Sequence, residues 1–411
     1  MDEIVTSRKM SSARKALLIT LASFCLWASW DLLRSPSKTH AFGDRANGYF
    51  TDHFSHMNTT RLLPRAGLAI WQRPIKQMFP EYTAAERAAL PEDVRGGASY
   101  VGTYKVPGWP MDKPLMSSWT HAPRNYPPGE LLLFAPIAAV YHYTKLSFTW
   151  ANRILILMCI AFTHAALYLF IRQYLEQPAG DGAIGFAALF VVYGAAIAWT
   201  LQGFYDMAAV APLLVCGTML ERRRGVEAIT AFCAAAFIHY RSFFLAPLVI
   251  YAAYLVVRER QWRGWGRSQR IMAGASVALS ALSLYPFYLL WPWLHTAAMN
   301  NAINVWGPAV NKPAVYAFLI TWTLAAMALA WATAWLDLAV LAWFAVMLTG
   351  LRETFPWHVL VPMAWLGVPV IAPDVRRLAR ARAVRLAFFL FVAVWVFRNP
   401  LMPTWMRALF R

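Results

Sequence analysis

Between its first two apolar stretches, from Ser35 to Glu130, the chain gathers Asp44, Asp52, His53, His56, Glu81 and Asp112, and closes the segment on Tyr126, Pro127, Pro128 and Gly129. A carboxylate in such a setting suits general-base work: it can take the proton of a hydroxyl as that oxygen becomes a nucleophile. A second polar set stands at the ends of later apolar runs. It comprises Gln202, Tyr205 and Asp206; His239 and Arg241; Asn300, Asn301 and Asn304; and Arg352, Glu353 and His358. Arginine and histidine at a water boundary suit an anionic phosphate, because their N–H groups form charge-assisted hydrogen bonds to its oxygens.

The elements that must position these groups follow from composition. Of 411 residues, 59% are hydrophobic and 14% charged, with a mean hydropathy of +0.43; a soluble domain carries about 25% charge. The expectation is an all-α polytopic membrane protein. Cys25, Cys159, Cys216 and Cys233 lie inside apolar runs without metal-site spacing and read as small core residues.

The formal charge of +18 would suggest nucleic acid in a soluble chain. Here the basic residues cluster between apolar segments: Arg8, Lys9, Arg14 and Lys15; Arg222 to Arg224; Arg258, Arg260, Arg263, Arg267 and Arg270; and Arg376, Arg377, Arg380, Arg382 and Arg385. Such clusters mark cytoplasmic ends, so nucleic acid is not an expected partner. The run from Ala16 to Leu33 is long enough to span and lacks a convincing cleavage site, which makes it a first helix running outward.

Parity then orders the rest. The run Leu131 to Tyr143 is short and contains Pro136, which suits an interfacial or re-entrant helix. Keeping it on the outer face leaves every later basic cluster inside. The expected spans are 150–172, 183–200, 204–220, 226–240, 242–257, 270–290, 313–332, 336–351, 356–372 and 384–398, about eleven with the first. The short pair flanking Arg241 has a re-entrant hairpin as its alternative, with the same parity. The whole chain, 1–411, reads as one membrane unit, with a first extracytoplasmic loop over 34–149 bearing interfacial helices and a bundle over 150–398. Within the loop, Asn47 to His56 and Thr83 to Ala89 are expected as short helices; Thr83 with Glu86 has capping-box spacing. The Pro, Gly and aromatic content from Gly96 to Pro128 predicts an ordered irregular segment. All the polar sets named above then fall on one side of the membrane. The Trp and Tyr excess reads mostly as interfacial belt, with Trp109 or Trp119 the candidates for stacking on a ligand.

In this arrangement the chain resembles the GT-C glycosyltransferases, multispanning enzymes that use polyprenyl- or dolichyl-phosphate sugars. The likeness is scattered over most of the chain. It lies in Gly43-Asp44-Arg45 through Tyr49-Phe50-Thr51-Asp52-His53-Phe54, in Tyr126-Pro127-Pro128-Gly129 before an apolar helix, and in Gly203-Phe204-Tyr205-Asp206. It continues in Phe237-Ile238-His239-Tyr240-Arg241-Ser242 leading to Ala246-Pro247, and in Phe355-Pro356-Trp357-His358-Val359-Leu360 leading to Pro362. The mannosyltransferase and glucosyltransferase branches are the ones these stretches resemble.

The resemblance implies an inverting single displacement, with Asp52 as base and Asp44 next in line. Asp31 is a third candidate, since the family often places its carboxylate near the first helix. The donor phosphate falls to Arg241, His239, His358 and Arg352, and substrate contacts to Asp206, Tyr126, Asn301 and Glu353. The expected partners are a polyprenyl-phosphate sugar, a glycan or glycolipid acceptor and the bilayer, in a bacterial inner membrane with the N-terminus cytoplasmic. The Asp-x-Asp and Asp-Asn-Glu metal motifs of some relatives are missing, so no metal ligand or cofactor is assigned. Two other classes compete. A transporter would show paired repeats and ionisable groups at mid-membrane depth. An acyltransferase would show a His/Asp or His/Asn pair at helical spacing, and a polymer ligase a late long loop.

Overall fold

The computed structural model describes residues 11–33, 50–98, 102–117, 119–121, 123–124, 126–176, 206–305, 335–341, 364–365, 368, 370 and 375–398. Its first frame is an antiparallel helix pair. Helix α1, Ser12–Leu33, pairs with a later helix, Phe148–Leu175. Ser12 Oγ donates to Leu175 O at 3.1 Å at one end, His164 Nε2 lies 3.1 Å from Ser23 Oγ midway, and Arg153 Nη1 donates to Leu32 O at 3.0 Å at the other. At 1.5 Å per residue both helices exceed the roughly 30 Å of a bilayer core.

Among the described residues the segment between them begins with α2, Phe50–Ala66, which runs well past the end of the short helix expected at Asn47 to His56; residues 47–49 of that expectation lie outside the described residues. A 3-10 turn, Gly67–Trp71, then leads to α3, Ile75–Met78, α4, Ala84–Ala88, and α5, Glu92–Ala98. The expected capping box is present on α4: Thr83 Oγ1 accepts from Glu86 N, and Glu86 Oε2 accepts from Thr83 N at 2.8 Å. Strands β1, Gly102–Tyr104, and β2, Leu115–Ser117, pair antiparallel with Thr103 opposite Met116. Helix α6, Pro128–Tyr143, closes the segment and contains Pro136.

Two buried cations fasten these pieces. Arg61 on α2 donates to Asn58 Oδ1 at 2.6 Å, to Lys113 O at 3.1 Å and to His142 Nδ1 at 3.2 Å, with its guanidinium 3.9 Å from the Trp109 ring centre. Burial lowers its pKa to about 10. Lys113 Nζ donates to Tyr141 O at 2.6 Å and to Thr144 O, placing an ammonium on the open carbonyls at the end of α6.

Helix α7, Phe148–Leu175, is followed among the described residues by α8, Val210–Glu221, α9, Gly225–Ile238, α10, Ala246–Arg258, α11, Arg267–Val305, and α12, Val375–Arg398. This is a helical membrane protein, but the described helices do not give eleven spans. Three are long and apolar enough to cross: Ser12–Leu33, Phe148–Leu175 and the Arg267–Leu290 part of α11. α8, α9 and α10 have 12, 14 and 13 residues, shorter than the roughly 20 a perpendicular span requires. The sequence shows why: the polar run His239-Tyr240-Arg241-Ser242 interrupts the apolar stretch, and Pro247 then fits only the first turn of a new helix. Expected spans over 183–200 and 313–332 lie outside the described residues, as do most of 336–351 and 356–372.

The described helices have two unlike ends. At one, the turns Arg222–Arg224 and Arg258–Gly266 meet: Gln261 Nε2 donates to Arg223 O at 2.8 Å, Gly225 N donates to Gln261 Oε1 at 3.1 Å, and Arg223 pairs with Glu259. Gln173, near the end of α7, bonds Thr218 of α8 at that same end, and Arg385 reaches Glu221 at 3.1 Å and Asp337 at 2.8 Å. The described members of the basic clusters that parity assigns to one face therefore share one end; Arg8 and Lys9 lie outside the described residues. The polar segment occupies the other, where Ser147 caps α7 by accepting from Trp150 N.

Candidate functional site

At the second end three ionisable side chains are buried together. Glu130, in the first turn of α6, is fully buried; its Oε1 meets His56 Nδ1 of α2 and Arg124 Nη2 from the preceding loop. Arg124 is placed by its backbone, whose N–H donates to Ile70 O at 2.9 Å, and Trp71 Nε1 donates to Tyr126 O at 3.0 Å. The loop is thereby tied to the 3-10 turn behind α2. Below the cluster, the His56 ring stacks on Phe134 at 5.7 Å and 4° and stands edge-on to Trp119 and Tyr126 at 5.0 and 4.7 Å.

Arg124 is 1% exposed, and its guanidinium lies 5.0 Å from the Trp119 ring centre. Its Nε and Nη1 have no hydrogen-bond partner among the described residues. Buried N–H groups without an acceptor cost on the order of 1–3 kcal/mol each, more on a charged group. Such a guanidinium is suited to an incoming anion, which would supply the missing acceptors.

The cluster joins the helix bundle through Tyr126. Its ring is edge-on to His239 at 5.8 Å and to Tyr240 at 5.5 Å, and those two stack at 5.1 Å. His239 is buried and accepts from Arg241 N through Nδ1 at 3.1 Å, which starts the 3-10 turn Tyr240–Leu245 and sets Arg241, half-buried, beside the same end. The approach depends on Gly129: a Cβ there would land on the Phe237 carbonyl at the end of α9.

The sequence-predicted residues fare differently. Tyr126, His239 and Arg241 come together as described. Asp52 stands in the first turn of α2, one helical turn before His56. Asp206 opens a 3-10 turn, Asp206–Ala209, ahead of α8, and Asn301 stands near the end of α11. Asp44, Arg352, Glu353 and His358 lie outside the described residues. Asp31 is fully buried in the last turn of α1, next to Leu32, whose carbonyl holds Arg153. Trp119 is part of the cluster, whereas Trp109 packs on Arg61 in the fastening described above. His164, in the middle of α7, has Nδ1 2.8 Å from Ile160 O and Nε2 on Ser23, and serves as an interhelical tie.

Sequence reasoning counted His56 among the polar residues of the loop but gave it no role, and it passed over Arg124 and Glu130 as site residues. The available signal was an acidic residue set at the start of an apolar helix directly after Tyr126-Pro127-Pro128-Gly129, with an arginine two residues before that motif. No group of three or more His, Cys, Asp or Glu among the described residues is placed to hold a metal ion. Comparison with family models, with curated proteins and with solved structures finds no match to this chain.

Proposed function

We propose that this chain is an inverting glycosyltransferase of the GT-C type, moving a sugar from a polyprenyl-phosphate donor to an acceptor hydroxyl on the extracytoplasmic face of a bacterial inner membrane. The observation that carries the reading is Arg124: a buried guanidinium whose Nε and Nη1 have no hydrogen-bond partner among the described residues, two positions before Tyr126, whose ring meets His239. An acidic cluster alone would not ask for a phosphate; a buried cation with open donors does.

In the proposed reaction the acceptor oxygen attacks the anomeric carbon while Asp52 takes its proton. The bond from that carbon to the phosphate oxygen breaks, and the electron pair leaves with the polyprenyl phosphate. Configuration inverts because attack and departure occur on opposite faces. Arg124 and Arg241 stabilise charge growing on the leaving phosphate, and Glu130 holds Arg124 in place while His56, among Phe134, Trp119 and Tyr126, holds Glu130. Asp44, Arg352, Glu353 and His358 belong to this reading through the sequence resemblance alone, as do the roles of Asp206 and Asn301.

Binding tests the reading directly. The purified chain in lipid nanodiscs should bind a short-chain polyprenyl phosphate, and Arg124→Gln should weaken that binding about tenfold or more, the loss of a charge-assisted hydrogen bond. Equal binding by wild type and Arg124→Gln, with both proteins folded, would remove the basis for the proposal.

A further inference from the structure

The end of the bundle opposite the candidate site carries an arginine surface that the proposed transfer does not use. Its two turns are locked together by Gln261, which bonds both Arg223 O and Gly225 N. Arg223 and Arg260 both hold left-handed backbone, φ 57° and 51°, a conformation uncommon outside glycine that persists where surrounding contacts fix it. Glu259 engages Arg223 and Glu227 engages Arg224. Arg222, Arg260, Arg263, Arg267 and Arg270 have no carboxylate partner among the described residues.

What lies beside this charge decides the partner. On α10, Leu248, Ala252 and Leu255 face the interior, while Ile250, Tyr254 and Val257 are 67%, 46% and 65% exposed; Ile271 on α11 is 61% exposed. Along the helix axis the surface therefore passes from exposed aliphatic side chains, to Trp262 at 46% exposure, to arginines. That order matches acyl chain, interface and headgroup in a leaflet. A nucleic acid or an acidic soluble protein would engage the arginines but leave the aliphatic flank without a partner.

We propose that these two turns bind the headgroup of an anionic glycerophospholipid, with its phosphate among Arg260, Arg263 and Arg267 and its acyl chains along α10 and α11. The inference stands apart from the proposed transfer reaction, and its test needs no turnover. The full chain is reconstituted in phosphatidylcholine membranes, and electron paramagnetic resonance measures the immobilised fraction of spin-labelled phosphatidylglycerol against spin-labelled phosphatidylcholine.

Wild type should prefer phosphatidylglycerol, and added salt should weaken the preference. Combining Arg260→Asn, Arg263→Gln and Arg267→Gln should abolish it, at about fivefold for each arginine that meets a headgroup. Asparagine is used at position 260 because it tolerates left-handed backbone. Arg263→Gln alone should shift the preference in the same direction and removes no side-chain hydrogen bond or ion pair seen among the described residues, so it covers the case in which the triple variant fails to fold. Arg14→Gln with Lys15→Gln, at the same end on α1, should leave the preference nearly unchanged. Equal association of the two lipids with wild type would overturn the proposal. So would a preference unaltered in the arginine variants, or a loss as large in the α1 variant.

Discussion

Tyr126 stands edge-on to His239, with ring centroids 5.8 Å apart and planes at 84°. This contact joins the polar segment before α6 to the turn after α9, two stretches that the sequence keeps far apart. Aromatic pairs of this geometry contribute about 0.5–1.5 kcal/mol beyond the area they bury. A double-mutant cycle with Tyr126→Leu and His239→Leu, read by chemical unfolding in detergent, should give a coupling energy in that range. Strict additivity of the two substitutions would show that the segment and the bundle do not meet there.

The Glu130 carboxylate depends on Arg124 for compensation, because both are buried. Arg124→Met should destabilise the protein by about 3–5 kcal/mol, the cost of removing one side of a buried ion pair. Arg124→Met combined with Glu130→Met should recover much of that loss, since the stranded charge is then gone. Thermal melts of the single and double variants distinguish this from simple loss of packing, which would make the double variant worse than either single one.

A pH effect should appear at the fastening of α2 to α6. Burial lowers the pKa of His142, and Arg61, Lys113 and Arg65 lower it further. The neutral imidazole accepts from Arg61 at 3.2 Å. A depressed folded-state pKa means that the stabilising contribution is present above the ordinary value of about 6.5 and is lost as pH falls through the folded value. Hydrogen exchange over residues 105–117 should accelerate as pH drops below that ordinary value and on through the folded one, once intrinsic rates are corrected. His142→Asn should flatten that response. Glu86 behaves in the same sense at lower pH: hydrogen bonds from Lys105 and Thr83 hold it down to about 2, so the α4 cap should open only as pH falls toward that value.

Gly129→Ala should destabilise by about 1–3 kcal/mol, the typical cost of overpacking, because its methyl would meet the Phe237 carbonyl. Gly264→Ala, where a Cβ meets nothing within 4 Å, provides the matched control and should be close to neutral. Equal melting temperatures for the two variants would contradict the close approach of α6 and α9.

Much of this architecture was legible because it is local. The Thr83–Glu86 cap follows from a three-residue spacing, α1 and α7 from long apolar runs, and the shared end of Arg223 and Gln261 from the charge bias that sets topology. The short helices α8 to α10 were harder to read: the apolar runs read as spans, and the shortness of the pair flanking Arg241 entered only as the alternative of a re-entrant hairpin. The buried cluster was the hardest. His56 and Glu130 lie far apart in the chain, and neither has a neighbour in sequence that signals the other. Only the packing of α2 on α6 brings them together, and only burial makes the open N–H groups of Arg124 informative. Asp52 and Arg241, by contrast, were singled out by residue type and a family likeness, and the fold sets each of them near that cluster along the chain: Asp52 one turn before His56, Arg241 two residues after His239.

Turnover decides whether Asp52 is the base of a glycosyl transfer. Purified protein in lipid is incubated with a panel of short-chain polyprenyl-phosphate sugars and candidate acceptors, and release of polyprenyl phosphate is followed for wild type, Asp52→Asn and Asp44→Asn. The predicted result is release by wild type with at least one donor and a loss of about 10²–10⁴-fold in Asp52→Asn, the usual contribution of a general base. Release that neither substitution affects, or no release with any donor, would contradict it.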